Sequence, residues 1–237
     1  MSNMRCACLI PARGTSKRFP RKNIALLKGK PVMAYPIEAA MASALFSEVW
    51  VSTDDAEIAD VAAHYGARVH ERPPILSSDT ATLRGVCVNF VEWLAQQGRP
   101  TDLLYLILPT AVLLQPEDLQ GGFKLLDECQ ADFVMAITTF LEAPFWALHE
   151  VDGYLRPFFG KEYLVASQRL PSVWVDSGSF YLVRVGAFLR ERTLYGERLV
   201  GYPIPRERSI DIDEPYHLQM AEALMELMHR TVPATRS

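Results

Sequence analysis

Two stretches at opposite ends of the 237-residue sequence carry residue types able to act together on a phosphorylated ligand. The first is Pro11-Ala-Arg-Gly-Thr-Ser-Lys-Arg-Phe-Pro-Arg-Lys-Asn23, which directly follows a short apolar run. It combines a glycine free to take positive φ, small hydroxyl residues and several cations. That chemistry suits a polyphosphate: backbone N–H groups and Ser16 approach oxygens while Arg13 and Lys22 oppose their charge. The loop is not a Walker A loop, because GxxxxGK[ST] is absent, and no GxGxxG occurs. Composition alone fits a solvated basic loop equally well. The second stretch is Ile210-Asp-Ile-Asp213. On an extended segment residues i and i+2 share a side, their Cα atoms about 6.5–7 Å apart. Asp211 and Asp213 so placed can converge on one hard cation, with water and phosphate oxygens filling its other positions. The competing reading makes Asp213 the N-cap of a final helix and leaves Asp211 merely exposed; Asp213 could serve in both roles.

Weaker signals lie between them. Arg72 to Thr82 offers one arginine and several hydroxyls to a pyrimidine edge, yet Asp79 or Thr80 as a helix cap explains it as well. Asp176-Ser-Gly-Ser-Phe-Tyr181 reads either as a glycine bulge within a strand or as polar groups on a pocket wall. Cys6, Cys8, Cys87 and Cys129 form no CxxC pair and are expected as small buried residues in a reducing compartment. The five histidines are scattered, which disfavours a structural zinc site.

The elements that must position these residues follow from the apolar pattern. Arg5 to Ile10 predicts a buried strand ended by Pro11, and Pro31 to Phe46 a helix. Val49 to Thr53 predicts a second strand, after which Asp54 or Asp55 caps a helix ending near Tyr65 and Gly66. Ala67–His70, Leu103–Leu108 and Phe133–Thr138 read as strands; Thr82–Gln97 and Pro116–Cys129 read as helices. Such alternation predicts a mostly parallel sheet in an α/β sandwich, whose ligands bind beyond the carboxyl ends of the strands. Residues 140 to 163 break the rhythm with seven aromatics and an Asp152-Gly153 hairpin turn. They form either a satellite cluster closing the core or an aromatic hairpin that lies on a second subunit. Val173–Val185 reads as a strand and Pro215 to about His229 as a last helix. The pattern implies one domain over residues 1–230, with 140–170 as the candidate arm and a flexible tail at 231–237.

Composition narrows the function classes. With 49% hydrophobic and 22% charged residues, 13 glycines and 16 prolines, the chain is neither disordered nor collagen-like. No apolar run approaches the ~20 residues of a membrane span, and Cys6–Ile10 is too short for a secretory core, so a cytoplasmic protein without membrane association is expected. Eight of the 24 cations fall before residue 37 with no acid among them, although the net charge is −4. A basic segment on an acidic body indicates a local anion site. Only Phe19 and Tyr35 supply aromatics there, which argues against nucleic-acid binding.

In order and spacing these pieces resemble the acylneuraminate cytidylyltransferase family, CTP-dependent enzymes that activate nine-carbon acidic sugars. The likeness runs through IPARGTSKRFPRKN (Ile10–Asn23), VSTDD (Val51–Asp55), RPPILSSDTAT (Arg72–Thr82), the Pro109-Thr110 pair and DIDEPYHL (Asp211–Leu218). The resemblance implies a Rossmann-like three-layer α/β sandwich with a mostly parallel sheet and a β-hairpin dimerisation arm, working as a homodimer. It implies that Ala12, Arg13, Gly14, Ser16, Lys22, Asn23, Arg72, Asp79, Ala81 and Thr82 bind the nucleotide. Asp211 and Asp213 would hold Mg2+, and Arg13, Lys22 and Asp211 would carry the chemistry. Thr110, Ser167, Gln168, Asp176, Gly178 and Phe180 would meet the sugar. The chain departs from the family at Leu108-Pro-Thr-Ala-Val-Leu-Leu114, which lacks the usual polar residue and arginine. Ser167-Gln168 followed by Asp176-Ser-Gly-Ser-Phe-Tyr181 points to the pseudaminic acid branch, although Ala166 stands where that branch has arginine. N-acetylneuraminic acid, legionaminic acid and the eight-carbon Kdo are the alternative substrates. A non-catalytic nucleotide-binding protein and a basic-armed RNA-binding protein are the rival classes.

Overall fold

The structure is a computed structural model that describes residues 4–78 and 80–231. In chain order it contains β1 (Cys6–Pro11), β2 (Leu26–Leu27), β3 (Lys30–Pro31), α1 (Ala34–Ala42), β4 (Val49–Thr53), α2 (Ala56–His64) and β5 (Arg68–Glu71). Next come α3 (Leu83–Gln96), β6 (Leu103–Ile107), α4 (Pro116–Glu128) and β7 (Phe133–Thr139). The chain then forms β8 (Leu148–Val151), β9 (Tyr154–Pro157), β10 (Trp174–Arg184), α5 (Val185–Glu191), β11 (Leu199–Pro203) and α6 (Pro215–Thr231). Local chemistry sets several of these boundaries. Asp55 caps α2 by accepting from Ile58 N at 3.0 Å. A capping box between Gln115 and Asp118, with Pro116 in the first turn, starts α4.

The main sheet has seven strands in the order β11-β7-β10-β6-β1-β4-β5. All its pairings are parallel except those of β10, which runs antiparallel to both β6 and β7. Along β1 the side chains alternate between two cores. Cys8 and Ile10 pack with residues of α1, α2 and α4 on one face. Ala7 and Leu9 pack with α3 and α5 on the other. From β1 the chain moves to β4 and β5 on one side, then returns to β6 on the opposite side. The strand order therefore reverses between β1 and β6, and the crevice beyond their carboxyl ends is where such sheets take ligands.

The expected α/β alternation is present, with local differences. The helix expected from Pro31 begins only at Ala34, because Lys30–Pro31 pairs antiparallel with Leu26–Leu27. The strand expected to reach Val185 ends at Arg184, where α5 begins. Neither α5 nor β11 stands out in the sequence. All four cysteines are free, and Cys129 is exposed rather than buried as expected. Burial pushes the Cys6 and Cys87 thiols up to about 12. β8 and β9 form a separate hairpin closed by Asp152 and Gly153 at φ 54° and 78°. Its Leu148, Tyr154 and Leu155 side chains are largely exposed, so it does not close the core. Residues 232–237 of the expected tail lie outside the described residues. Among the described residues no helix is long and apolar enough to cross a membrane.

Candidate active site

At the end of β1, Ala12 N donates to Ser52 O at 2.9 Å and extends the pairing with β4 by one step. The chain then swings out as the basic loop and returns at Asn23, whose Nδ2 donates to Arg13 O at 3.0 Å and closes the loop. Asn23 is buried, and its Oδ1 finds no hydrogen-bond partner among the described residues. A buried acceptor left unmade costs about 1–3 kcal/mol, which a ligand donor would offset. The loop is braced from the β4–α2 turn. Arg21 pairs with Asp55 and Glu57, and Gly14 N faces Asp54 Oδ1 at 3.4 Å. A Cβ on Gly14 would come within 2.5 Å of Asp55 Oδ2, so only glycine allows this approach.

The acidic segment reaches the same place from the other end of the chain. Ile212 is completely buried against Leu27, Val32, Val112 and the α6 residues Ala221 and Met225. Burying it contributes roughly 1.5–3 kcal/mol, which anchors the segment between its two aspartates. Asp213 accepts from Lys22 Nζ at 3.0 Å and from Arg18 at 2.5 Å. Burial alone would raise the Asp213 carboxyl. The Lys22 hydrogen bond and charge, with those of Arg18, outweigh it and hold the group below the usual carboxylate range. The N-cap reading of Asp213 gives way accordingly. His217 Nδ1 ties the start of α6 instead, accepting from Asp213 N at 3.0 Å and Glu214 N at 3.3 Å.

Asp211 is exposed and accepts from the buried Thr110 hydroxyl at 2.9 Å. Thr110 stands just beyond the carboxyl end of β6, so this bond joins the acidic segment to the sheet at its switch point. Gly178 lies close by at φ 67°, where a Cβ would sit 3.8 Å from that of Asp211. A side chain there would have room but would be strained in its backbone at this positive φ.

These groups line two adjoining clefts. One, of about 320 Å3, includes Arg13, Lys22, Arg72, Thr110 and Asp211. The other, of about 350 Å3, includes Ser16, Arg18 and Asp213 and shares Arg13, Lys22 and Asn23 with the first. The basic loop and both aspartates thus meet around one trough outside β1 and β6. Arg72 is buried in its wall, donating from Nε to Ser52 Oγ at 3.2 Å and from NH2 to Ser52 O at 2.5 Å. Burial, assisted by the charge of Arg13, lowers its pKa against the pull of Asp54. Ala81 and Thr82 also line the first cleft. Thr82, rather than Asp79 or Thr80, caps α3, accepting from Gly85 N at 3.1 Å. Asp79 lies outside the described residues.

The residues assigned to the sugar are less unified. Phe180 does not face the trough: it is fully buried between Tyr105 and Tyr202 because its turn of β10 points into the helix-covered core. Asp176 is engaged within its own strand and loop. Its carboxylate accepts from the Tyr181 and Tyr195 hydroxyls and from Gly178 N at 2.9 Å, so it shapes the bulge of β10. Ser167 and Gln168 are exposed on a short helical turn after the hairpin and line neither cleft. Arg18, Ser52 and His70 escaped the sequence reading. Each acts through a partner distant in sequence, and no spacing marks them.

Two carboxylates backed by a hydroxyl and flanked by cations fit a hard divalent ion held partly by phosphate. Among the described residues no three His, Cys, Asp or Glu side chains converge as a complete metal cage. Mg2+ characteristically needs none, because it keeps waters and substrate phosphate among its ligands.

Comparison with known proteins shows the family and the fold. The model of the cytidylyltransferase family matches residues 7–150. The pseudaminic acid cytidylyltransferase of Campylobacter jejuni is 35% identical over 96% of this chain and 99% of its own length. The CMP-N,N'-diacetyllegionaminic acid synthase of Legionella pneumophila is 30% identical over 94% of this chain and 97% of its own. Among solved structures, a CMP:2-keto-3-deoxy-manno-octonic acid synthetase complexed with CTP superposes with a TM-score of 0.69. It covers 94% of this chain and 99% of that one, and at 17% identity the likeness concerns the fold. Sequence, topology and the match over most of the chain lead to one conclusion: the protein belongs to the cytidylyltransferase family of nucleotidyltransferases.

Proposed function

We propose that this protein joins CMP from CTP to the anomeric oxygen of pseudaminic acid, a nine-carbon 2-keto acidic sugar, and releases pyrophosphate. The observation that carries the reading is the meeting of the basic loop with Asp211 and Asp213 in one trough, with Lys22 Nζ 3.0 Å from Asp213. The choice of sugar rests on the likeness to the Campylobacter jejuni enzyme. Both substrates are anions, so their repulsion must be offset before reaction. Arg13 and Lys22 oppose the β- and γ-phosphates, while Arg72 offers a buried cation to the base or ribose end. The sugar hydroxyl attacks the α-phosphorus in line. The new P–O bond forms as the bond to the bridging α–β oxygen breaks, and the hydroxyl proton passes to solvent water. Charge growing on the leaving pyrophosphate is stabilised by Arg13 and Lys22. Asp211, oriented by Thr110, and Asp213 would hold Mg2+, which when bound neutralises phosphate oxygens.

The free cysteines suit the reducing cytoplasm, and the exposed hairpin supports a homodimer. The test is pyrophosphate release from CTP and Mg2+ across pseudaminic, legionaminic and N-acetylneuraminic acids and Kdo. Release with pseudaminic acid ahead of the others is expected. Asp211→Asn should lower turnover by about 10²–10³-fold with the fold intact. Equal release without any sugar, or a near-normal Asp211→Asn variant, would refute the reading.

A further inference from the structure

We infer that the buried ion pair between Arg208 and Asp118, outside the trough, positions the segment that carries Asp211 and Asp213. The inference rests on the proposed metal-holding role of those aspartates. Arg208 NH1 donates to Asp118 Oδ2 at 2.5 Å and NH2 donates to Oδ1 at 2.9 Å, a two-pronged contact. Asp118 is buried, with its side chain 4% exposed, and the Arg208 side chain is mostly so, at 13%. Asp118 Oδ2 also accepts from Gln115 N at 2.9 Å, so the pair is fixed to the first turn of α4. Arg208 NH1 further faces Leu113 O at 3.4 Å. Leu113 belongs to the same loop as Thr110, whose hydroxyl holds Asp211.

Arg208 precedes Asp211 by three residues and ends a short helical turn, Arg206–Arg208. The other anchors of the segment differ in kind. Burial of Ile212 fixes its depth but not its rotation, because hydrophobic contact has no direction. The Ser209 hydroxyl reaches Ser177 O at a long 3.3 Å. The Arg18 partner of Asp213 is itself largely exposed, and the Thr110 and Lys22 contacts hold the two carboxylates themselves rather than the backbone that leads into them. A planar guanidinium on a planar carboxylate fixes distance and orientation together. Net stability is a poor reason for such a pair, since buried ion pairs are often matched by apolar groups of similar size. Placement of the downstream carboxylates is the role the geometry leaves.

The experiment measures Mn2+ binding to the CTP complex by paramagnetic resonance, CTP binding without metal by calorimetry, and thermal melting. Arg208→Met and Arg208→Lys should each weaken Mn2+ binding about 10-fold or more. CTP affinity without metal should be unchanged. Arg208→Met should melt lower; adding Asp118→Leu should recover part of the melting temperature, the cap of α4 being lost with it, but none of the Mn2+ affinity. If Arg208→Met fails to fold, Arg208→Lys and the double variant decide. Wild-type Mn2+ affinity in the Arg208 variants, or joint recovery of stability and Mn2+ affinity in the double variant, overturns the inference. Asp211→Asn runs alongside. If it binds Mn2+ normally, the metal reading falls and takes this inference with it; if it loses Mn2+ while the Arg208 variants keep it, only this inference falls.

Discussion

His70 gives a sharp test of how the trough wall is built. Its side chain lies at the end of β5, 2% exposed, with ring centroids 4.9 Å from Trp93 and 5.3 Å from Phe90. Nδ1 is 3.1 Å from Ser52 Oγ. Ser52 Oγ also accepts from Arg72 Nε, which brings a guanidinium charge beside the ring. Burial and that neighbouring charge both favour a neutral ring. Burial first, and the charge of Arg72 second, push the His70 pKa from 6.5 down to about 4.

The consequence for stability has a definite sign. Between about pH 4 and 6.5 the unfolded chain binds a proton that the folded chain refuses, so stability falls with acidification through that window. The contribution is fully present above 6.5 and is lost progressively toward 4. Taken from pH 7 to pH 5, these two pKa values give a loss of about 2 kcal/mol from this one group. His70→Gln removes the titration and keeps a neutral hydrogen-bonding side chain. Urea unfolding of both proteins at pH 7 and pH 5 isolates the effect, because other groups cancel in the comparison. The stability advantage of the wild type over the variant should shrink by about 2 kcal/mol at the lower pH. An advantage that stays constant across the two pH values would refute a buried neutral His70.

The remaining predictions concern the loop and the arm. Arg13→Ala should reduce turnover by about 10²-fold or more in a pyrophosphate-release assay, while the exposed Lys17→Ala should be mild. Equal losses would mean that diffuse charge alone matters. Leu155, 68% exposed on the hairpin, should sit in a subunit interface. Leu155→Lys should therefore convert a dimer to monomers in sedimentation, and a monomeric wild type would refute the arm.

Sequence made the frame legible where one physical rule acts alone. Leu103–Ile107 is buried on both faces and reads as an unbroken apolar run, as a central strand covered by helices on both sides must. Asp55 and Pro116 announce helix starts because an N-terminal turn leaves N–H groups that local residues satisfy. The basic loop was only half legible, since cations and a glycine after a strand fit an anion cradle and a solvated loop equally well. Asp211 and Asp213 were visible as a pair because residues i and i+2 of an extended segment share a side, and Ile212 between them is completely buried.

What stayed hidden depends on partners brought together by the fold. Phe180 and Asp176 sit in a segment whose register against β7 slips between Asp176 and Tyr181. Alternation cannot be counted through such a bulge, so which side chains face the trough was unreadable. β11 was missed because its residues are only partly buried at the sheet edge and include Gly201 and Pro203. Arg208 meets Asp118 across 90 positions, and His70 meets Ser52 across 18. Neither separation follows a helical or strand period. A catalytic carboxylate announces itself by type and spacing, whereas the residue that aims it needs only to be near in space. That asymmetry makes the supporting network the part of this site for which three-dimensional structure supplies what the sequence cannot.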